Sequence, residues 1–175
     1  MSIAAFLGPT LRGHAADARA ALPRIADAED PEGVHDFRVA LRRLRSLLRP
    51  ARAVYGRFHT DAVRAHLRAV ADATGALRDE EVLAETVGEL ALPVAAARQR
   101  DAWLGRRAIQ KRALRGALVR RVRSGEVDRA LALLDALLLL PVRPDRDVDP
   151  NAFAASVVAK AESDVLRSLG AADPE

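Results

Sequence analysis

The stretch VHDFRVALRRLRSLLRPARAVYG, residues 34–56, decides how this chain is read. At about 100° per residue, His35, Arg38, Arg42, Arg45, Arg49 and Arg52 fall on one flank of a single helix. Val34, Phe37, Leu41, Leu44 and Leu48 fall on the neighbouring flank, the side an amphipathic helix buries. The stretch therefore predicts a packed face with a ladder of cations beside it. Like charges three and four residues apart destabilise a helix by about 0.2–0.5 kcal/mol per pair, and Asp36 is the only acid within the stretch. A row of guanidinium groups without local counter-charge points to an external anion. From His35 to Arg49 it extends about 21 Å at about 1.5 Å per residue, a length that suits a polyanion.

Composition narrows the class. The chain of 175 residues is long enough for one domain with a sizeable core. Half of it is hydrophobic but only 3% is aromatic, so Ala, Leu and Val must build that core. Runs of β-branched and aromatic residues alternating with period two are nearly absent, which favours helices over a sheet. There is no cysteine, which excludes disulfides and thiolate metal sites and suits a reducing interior. The opening MSIAAFLGPTLRGH has neither a basic leader nor a long apolar run. LALLDALLLL, residues 131–140, is far short of a membrane span and carries Asp135. The expectation is a soluble, cytoplasmic protein without a membrane partner.

The net charge of +4 hides a segregation. Residues 35–57 hold seven arginines and one aspartate; residues 98–123 hold nine arginines, one lysine and one aspartate. The remainder is acidic. Two basic segments in an acidic chain can set a strong field over one groove while other surfaces repel polyanions.

Helical patterns run through the whole chain. A first helix is expected over Pro9–Asp27, with Leu11, Ala15, Ala18, Leu22 and Ile25 inward and Pro23 as a kink. Asp30, Pro31 and Glu32 read as a helix start, and Gly56 as the end of the ladder helix. Thr60 caps a helix with Val63, Leu67 and Val70 inward that fades near Gly75, and a short acidic helix covers Arg78–Leu90. A long basic helix follows over Val94–Arg123, an apolar one over Val127–Leu139, and a last one over Ala152–Leu169. Residues 1–140 form one bundle, residues 141–150 (PVRPDRDVDP) a linker, and residues 151–175 a separate helix. The fold class is all-α, an antiparallel bundle of about six to seven helices. ALPRIADAEDPEGVHDFR from Ala21 and DVLRSLGAADPE from Asp164 share a helix running into a similar turn, the mark of a weak internal repeat.

The segment from Val34 to Arg49 closely resembles the signature of the CHAD domain, the conserved histidine α-helical domain, with its Val-His-Asp-x-Arg-Val helix followed by Arg-Arg-x-Arg. GALRDEEVL, residues 75–83, is similar to the family's second marker, although Thr74-Gly75 stands where the family usually has Leu-Gly. The resemblance implies an all-α domain of two similar bundles whose basic surface binds inorganic polyphosphate. The family carries a second His-x-x-Arg helix in its second half. Here the histidines are His14, His35, His59 and His66, so the chain is read as the family's N-terminal half plus one helix, a truncated product or a short form.

The expected polyphosphate contacts are His35, Arg38, Arg42, Arg45 and Arg49 on the ladder, Arg78 on the second marker, and Arg107, Lys111 and Arg115 on the second basic helix. His35 reads either as a structural, hydrogen-bonded residue or as a phosphate donor. The ladder arginines could be a solvated face, but that reading expects interspersed acids, which the ladder lacks. Arg78 serves equally as an internal bridge. Arg100, Arg107, Lys111, Arg115 and Arg121 are spread around that helix so that only part can share a groove with the ladder, and Arg107, Lys111 and Arg115, at fourfold spacing, make the best stripe. No Gly-rich phosphate loop, nucleophile setting or paired carboxylates near the basic face suggest catalysis, and no second histidine at ligand spacing suggests a metal. The expectation is a binding module, with no enzyme activity and no cofactor, for inorganic polyphosphate in the cytoplasm or at polyphosphate granules. Its rivals are a binder of nucleic acid or acidic protein through the same face, and a purely structural bundle. A homodimer, or a partner completing the second bundle, stays open.

Overall fold

Every residue assigned to the buried flank of the ladder helix is buried. In the computed structural model, which describes residues 2–27, 30, 32–142 and 149–170, Val34, Phe37, Leu41, Leu44 and Leu48 have no accessible surface. Ala40, Ala51 and Val54 complete the same stripe. This helix is the second of six among the described residues: α1 (Ile3–Ile25), α2 (Glu32–Tyr55), α3 (Arg57–Gly88), α4 (Val94–Arg123), α5 (Glu126–Leu137) and α6 (Pro150–Gly170). No strand occurs among the described residues. The expected all-α bundle is the fold the protein adopts.

Local chemistry fixes both ends of α2. Asp30 Oδ1 accepts from the backbone N–H groups of Glu32 at 2.9 Å and Gly33 at 3.0 Å, satisfying two of the orphan donors of the first turn. Gly33 is needed because a Cβ there would lie 2.8 Å from the backbone carbonyl of Arg24, so the end of α1 meets the start of α2 backbone to backbone. At the other end Gly56, at φ 87°, is the one-residue turn into α3. Arg38 bonds to Thr74 and Arg52 to Asp61. Both pairs straddle Gly56 almost symmetrically, so α2 and α3 form an antiparallel hairpin.

Three boundaries differ from the sequence reading. Thr60 does not cap the third helix: α3 starts at Arg57, and the Thr60 Oγ1, inside it, donates to the Gly56 carbonyl at 2.7 Å. α1 begins at Ile3, not Pro9, because Ser2 caps it: the Ser2 Oγ accepts from the Ala5 N–H at 3.2 Å. Pro9 lies inside the helix and on its exposed side. α3 does not fade at Gly75; it is one helix of 32 residues that joins the two helices expected there. Thr60, Val63, Leu67, Val70, Thr74, Leu77 and Glu81 recur at alternating spacings of three and four and are all buried. Continuous burial along that seam outweighs the cost of one interior glycine, about 1 kcal/mol.

α3 is the central element, packed against α2 on one side and against α4 and α5 on others. The Ala15, Ala18 and Ala21 stripe of α1 is buried against α2, where small side chains allow close approach. α5 closes the core with Val127, Ala130, Leu131, Leu134 and Leu137. Gly125 at φ 75° makes the turn before it. α6 rests on the edge of this core through Phe153. The Asp-Pro-Glu turns of the weak repeat, and most of the expected linker, involve residues outside the described set.

Candidate functional site

The cationic flank of α2 faces α3 across a groove of about 560 Å³. Arg38, Arg42 and Arg45 line it from α2; Ala71, Asp72, Gly75, Ala76 and Asp79 form the opposite wall. The α3 wall is low because it consists of small residues between two aspartates. Asp72 is partnered by Arg68 at 3.5 Å.

The three arginines differ in how firmly they are held. Arg38 is half-buried, and its Nη1 donates to the Thr74 Oγ1 at 2.8 Å. Thr74 is fully buried and its hydroxyl donates to the Ala71 carbonyl at 2.6 Å, which leaves a lone pair directed at Arg38. Arg42 is exposed and Arg45 half-buried, and neither has a hydrogen-bond or ion-pair partner among the described residues. The one acid within the ladder stretch does not relieve them. Asp36 accepts from Arg24 Nη1 at 2.6 Å, and the same guanidinium binds Asp30 through Nε and Nη2 at 2.6 and 3.2 Å. Hydrogen bonds from Arg24 hold the Asp30 carboxyl below its usual range.

The ends of the expected ladder lie outside this groove. His35 is half-buried two turns before Arg42, without a hydrogen-bond partner among the described residues. Arg49 faces α6, where it lies 3.8 Å from Asp164 beside a second cavity of about 910 Å³ between α2 and α6. Arg52 donates from Nε to Asp61 at 2.6 Å. The row that looks uniform in sequence is therefore divided among three environments.

The expected stripe on the second basic helix does not join the groove. Arg107 makes a two-pronged bond to Glu80, its Nε lying 2.6 Å from Oε1, and stacks over Trp103 at 5.4 Å. Arg115 is buried, donating to Glu81 Oε1 at 2.8 Å and to the Asp27 carbonyl at 2.5 Å. Glu80 and Glu81 are only 4% and 9% exposed, so these guanidinium groups neutralise buried carboxylates and bind α4 to α3 and to the end of α1. Arg78 belongs to the same cluster, 3.7 Å from Glu81. Lys111, between Arg107 and Arg115, is half-buried without a partner among the described residues. No group of three or more His, Cys, Asp or Glu suited to a metal occurs among the described residues. No described helix is long and apolar enough to cross a membrane.

Sequence reasoning missed Thr74, Glu80 and Glu81. The signal was present: Thr74 and Glu81 occupy seam positions otherwise filled by Val and Leu, and a polar residue there needs a buried partner.

The chain is an all-helical bundle with a basic groove between two hairpin helices. The family model for the CHAD domain matches residues 10–175, and the chain belongs to that family, which is associated with polyphosphate binding. No curated protein and no solved structure matches the chain.

Proposed function

We propose that the α2–α3 groove binds inorganic polyphosphate without catalysing a reaction, with Arg38, Arg42 and Arg45 as its phosphate contacts. The observation that carries this reading is the contrast in pairing. Arg24, Arg52, Arg107, Arg115 and Arg121 each engage a carboxylate of the protein, whereas Arg42 and Arg45 line an open groove without one among the described residues. Guanidinium forks match phosphate oxygens bidentately, and an extended phosphate chain can meet successive turns of α2 at once. His35 flanks the set as a secondary contact, whereas Arg49 lies beside Asp164 on the α6 side. The carboxylates of Asp72 and Asp79 on the far wall confine the anion to the α2 side.

The test is a titration of long-chain polyphosphate into the protein, followed by competition against a single-stranded DNA probe. Polyphosphate should bind and should displace the DNA at concentrations well below those at which DNA displaces polyphosphate. Absence of polyphosphate binding at low salt, or the reverse order of competition, overturns the reading in favour of a structural bundle or a nucleic-acid binder.

A further inference from the structure

The cations of α4 are sorted by direction. Of those turned toward the bundle, Arg107 is neutralised by Glu80, Arg115 by Glu81 and Arg121 by Glu126, while Lys111 has no partner among the described residues. Arg98, Arg106, Arg112, Arg120 and Arg123 are exposed, and none has a hydrogen bond or ion pair among the described residues. At about 100° per residue these five fall in one sector about 120° wide, turned away from Arg115. The only acid on α4, Asp101, lies outside that sector and is bound by Arg100 at 2.9 Å. Between the arginines the sector holds Ala102, Gly105, Ile109, Ala113 and Gly116. From Arg98 to Arg123 the row runs about 37 Å at about 1.5 Å per residue. Five like charges on one helix face repel one another without return inside the protein.

We propose that this outer face of α4 is a second polyanion surface, and that a polyphosphate chain long enough to cross α3 occupies it together with the groove. The inference rests on the groove's being a polyphosphate site and assigns to a different set of residues the preference for long chains. The two surfaces lie on different flanks of α3: Asp79 lines the groove, while Glu80 and Glu81 face α4. The chemistry of the sector favours an inorganic chain. It contains no aromatic side chain on which a base could stack, and Ala and Gly between the arginines offer no side chain to read a base edge. Ile109 alone supplies too little apolar surface for the core of a protein interface. A linear polyphosphate needs only regularly spaced cations and a smooth path. Joining two weak sites on one ligand converts the second contact into an intramolecular one, so affinity rises with chain length without any new contact.

The experiment compares tripolyphosphate with a chain of several hundred phosphates, using wild type and the variant Arg106→Gln, Arg112→Gln, Arg120→Gln. Glutamine keeps helix propensity, and unchanged circular dichroism and melting temperature establish the fold. The wild type should bind the long chain far more tightly than tripolyphosphate. The variant should bind tripolyphosphate as wild type does and lose about tenfold or more of its long-chain affinity. Arg→Lys at the same three positions should retain most of it, since the charge is kept. Long-chain affinity within about twofold of wild type in the glutamine variant overturns the proposal. So does a loss confined to a nucleic-acid probe, which would assign the face to that ligand. The groove triple Arg38→Ala, Arg42→Ala, Arg45→Ala separates the two readings: tripolyphosphate affinity unchanged there overturns the groove site, while the long-chain loss on α4 would still support the outer face.

Discussion

Arg38 on α2 and Thr74 on α3 are joined by a 2.8 Å hydrogen bond across the hairpin, with the threonine fully buried and anchored to the Ala71 carbonyl. This bond aims one groove arginine from below while its neighbours Arg42 and Arg45 remain without partners among the described residues. Thr74→Val preserves shape and removes the acceptor, so it should weaken polyphosphate binding several-fold, on the order of 1 kcal/mol. Thr74→Ser should restore most of the loss. In an Arg38→Ala background the valine substitution should have no further effect on binding, a result that isothermal titration of the four variants would give directly. Equal losses with and without Arg38 would mean that Thr74 acts on the fold alone.

Contacts shared along a row should be individually modest. Arg42→Ala or Arg45→Ala should each reduce affinity by roughly 1–2 kcal/mol, as expected for an exposed charge-assisted contact, with helicity intact because alanine favours helix. The triple change at Arg38, Arg42 and Arg45 should nearly abolish tripolyphosphate binding and weaken long-chain binding. Neutralising Arg143 and Arg146, which lie outside the described residues, should do little; a loss equal to that of the triple would show that net charge, not the groove, sets affinity.

Arg115 should matter for stability and not for the ligand. Replacing it with alanine leaves the buried Glu81 with only the longer Arg78 contact at 3.7 Å and removes a donor from the Asp27 carbonyl. Breaking one side of a buried ion pair costs about 3–5 kcal/mol. Urea unfolding of Arg115→Ala should show that loss, with polyphosphate affinity of the folded protein near wild type. A fall in affinity with unchanged stability would return Arg115 to the binding site.

Acid should loosen the bundle through three carboxylates. Burial acts to raise the Asp61 carboxyl, but hydrogen bonds from Arg52 and Arg64 outweigh it and hold it below the ordinary 3.8. Arg24 lowers Asp30, and Arg121 lowers Glu126 below its ordinary 4.5. A carboxyl depressed in the folded state binds more protons when unfolded, so its stabilisation is complete above the unfolded value and is lost as pH falls through the folded one. Melting temperature should therefore drop between about pH 5 and about pH 3, and Asp61→Asn with Glu126→Gln should shrink that drop. An identical drop in the double variant would remove these pairs as its cause.

How much of this was legible depended on how far apart the partners lie in sequence. Both flanks of α2 could be read because a helix states its own periodicity, and Val34, Phe37, Leu41, Leu44 and Leu48 are all in the core. The continuity of α3 through Gly75 could not, because local propensity argues for a break while the packing that maintains the helix comes from α2, α4 and α5. The division of the arginines was also hidden. Arg107, Lys111 and Arg115 repeat the fourfold spacing of Arg38 and Arg42, and only the distant partners Glu80 and Glu81 set Arg107 and Arg115 apart. Two adjacent glutamates in RDEEVL at the end of an apolar seam were the available clue.

The most direct measurement is the salt dependence of long-chain polyphosphate binding in wild type and in the Arg38→Ala, Arg42→Ala, Arg45→Ala variant. Each phosphate neutralised by a cation releases a counterion, a relation measured for nucleic acids and carried over here to a linear polyphosphate by analogy. The wild-type affinity should fall steeply as salt rises, and the variant's log–log slope should be shallower by about two to three. The same slope and the same affinity in both proteins would contradict the assignment of the groove.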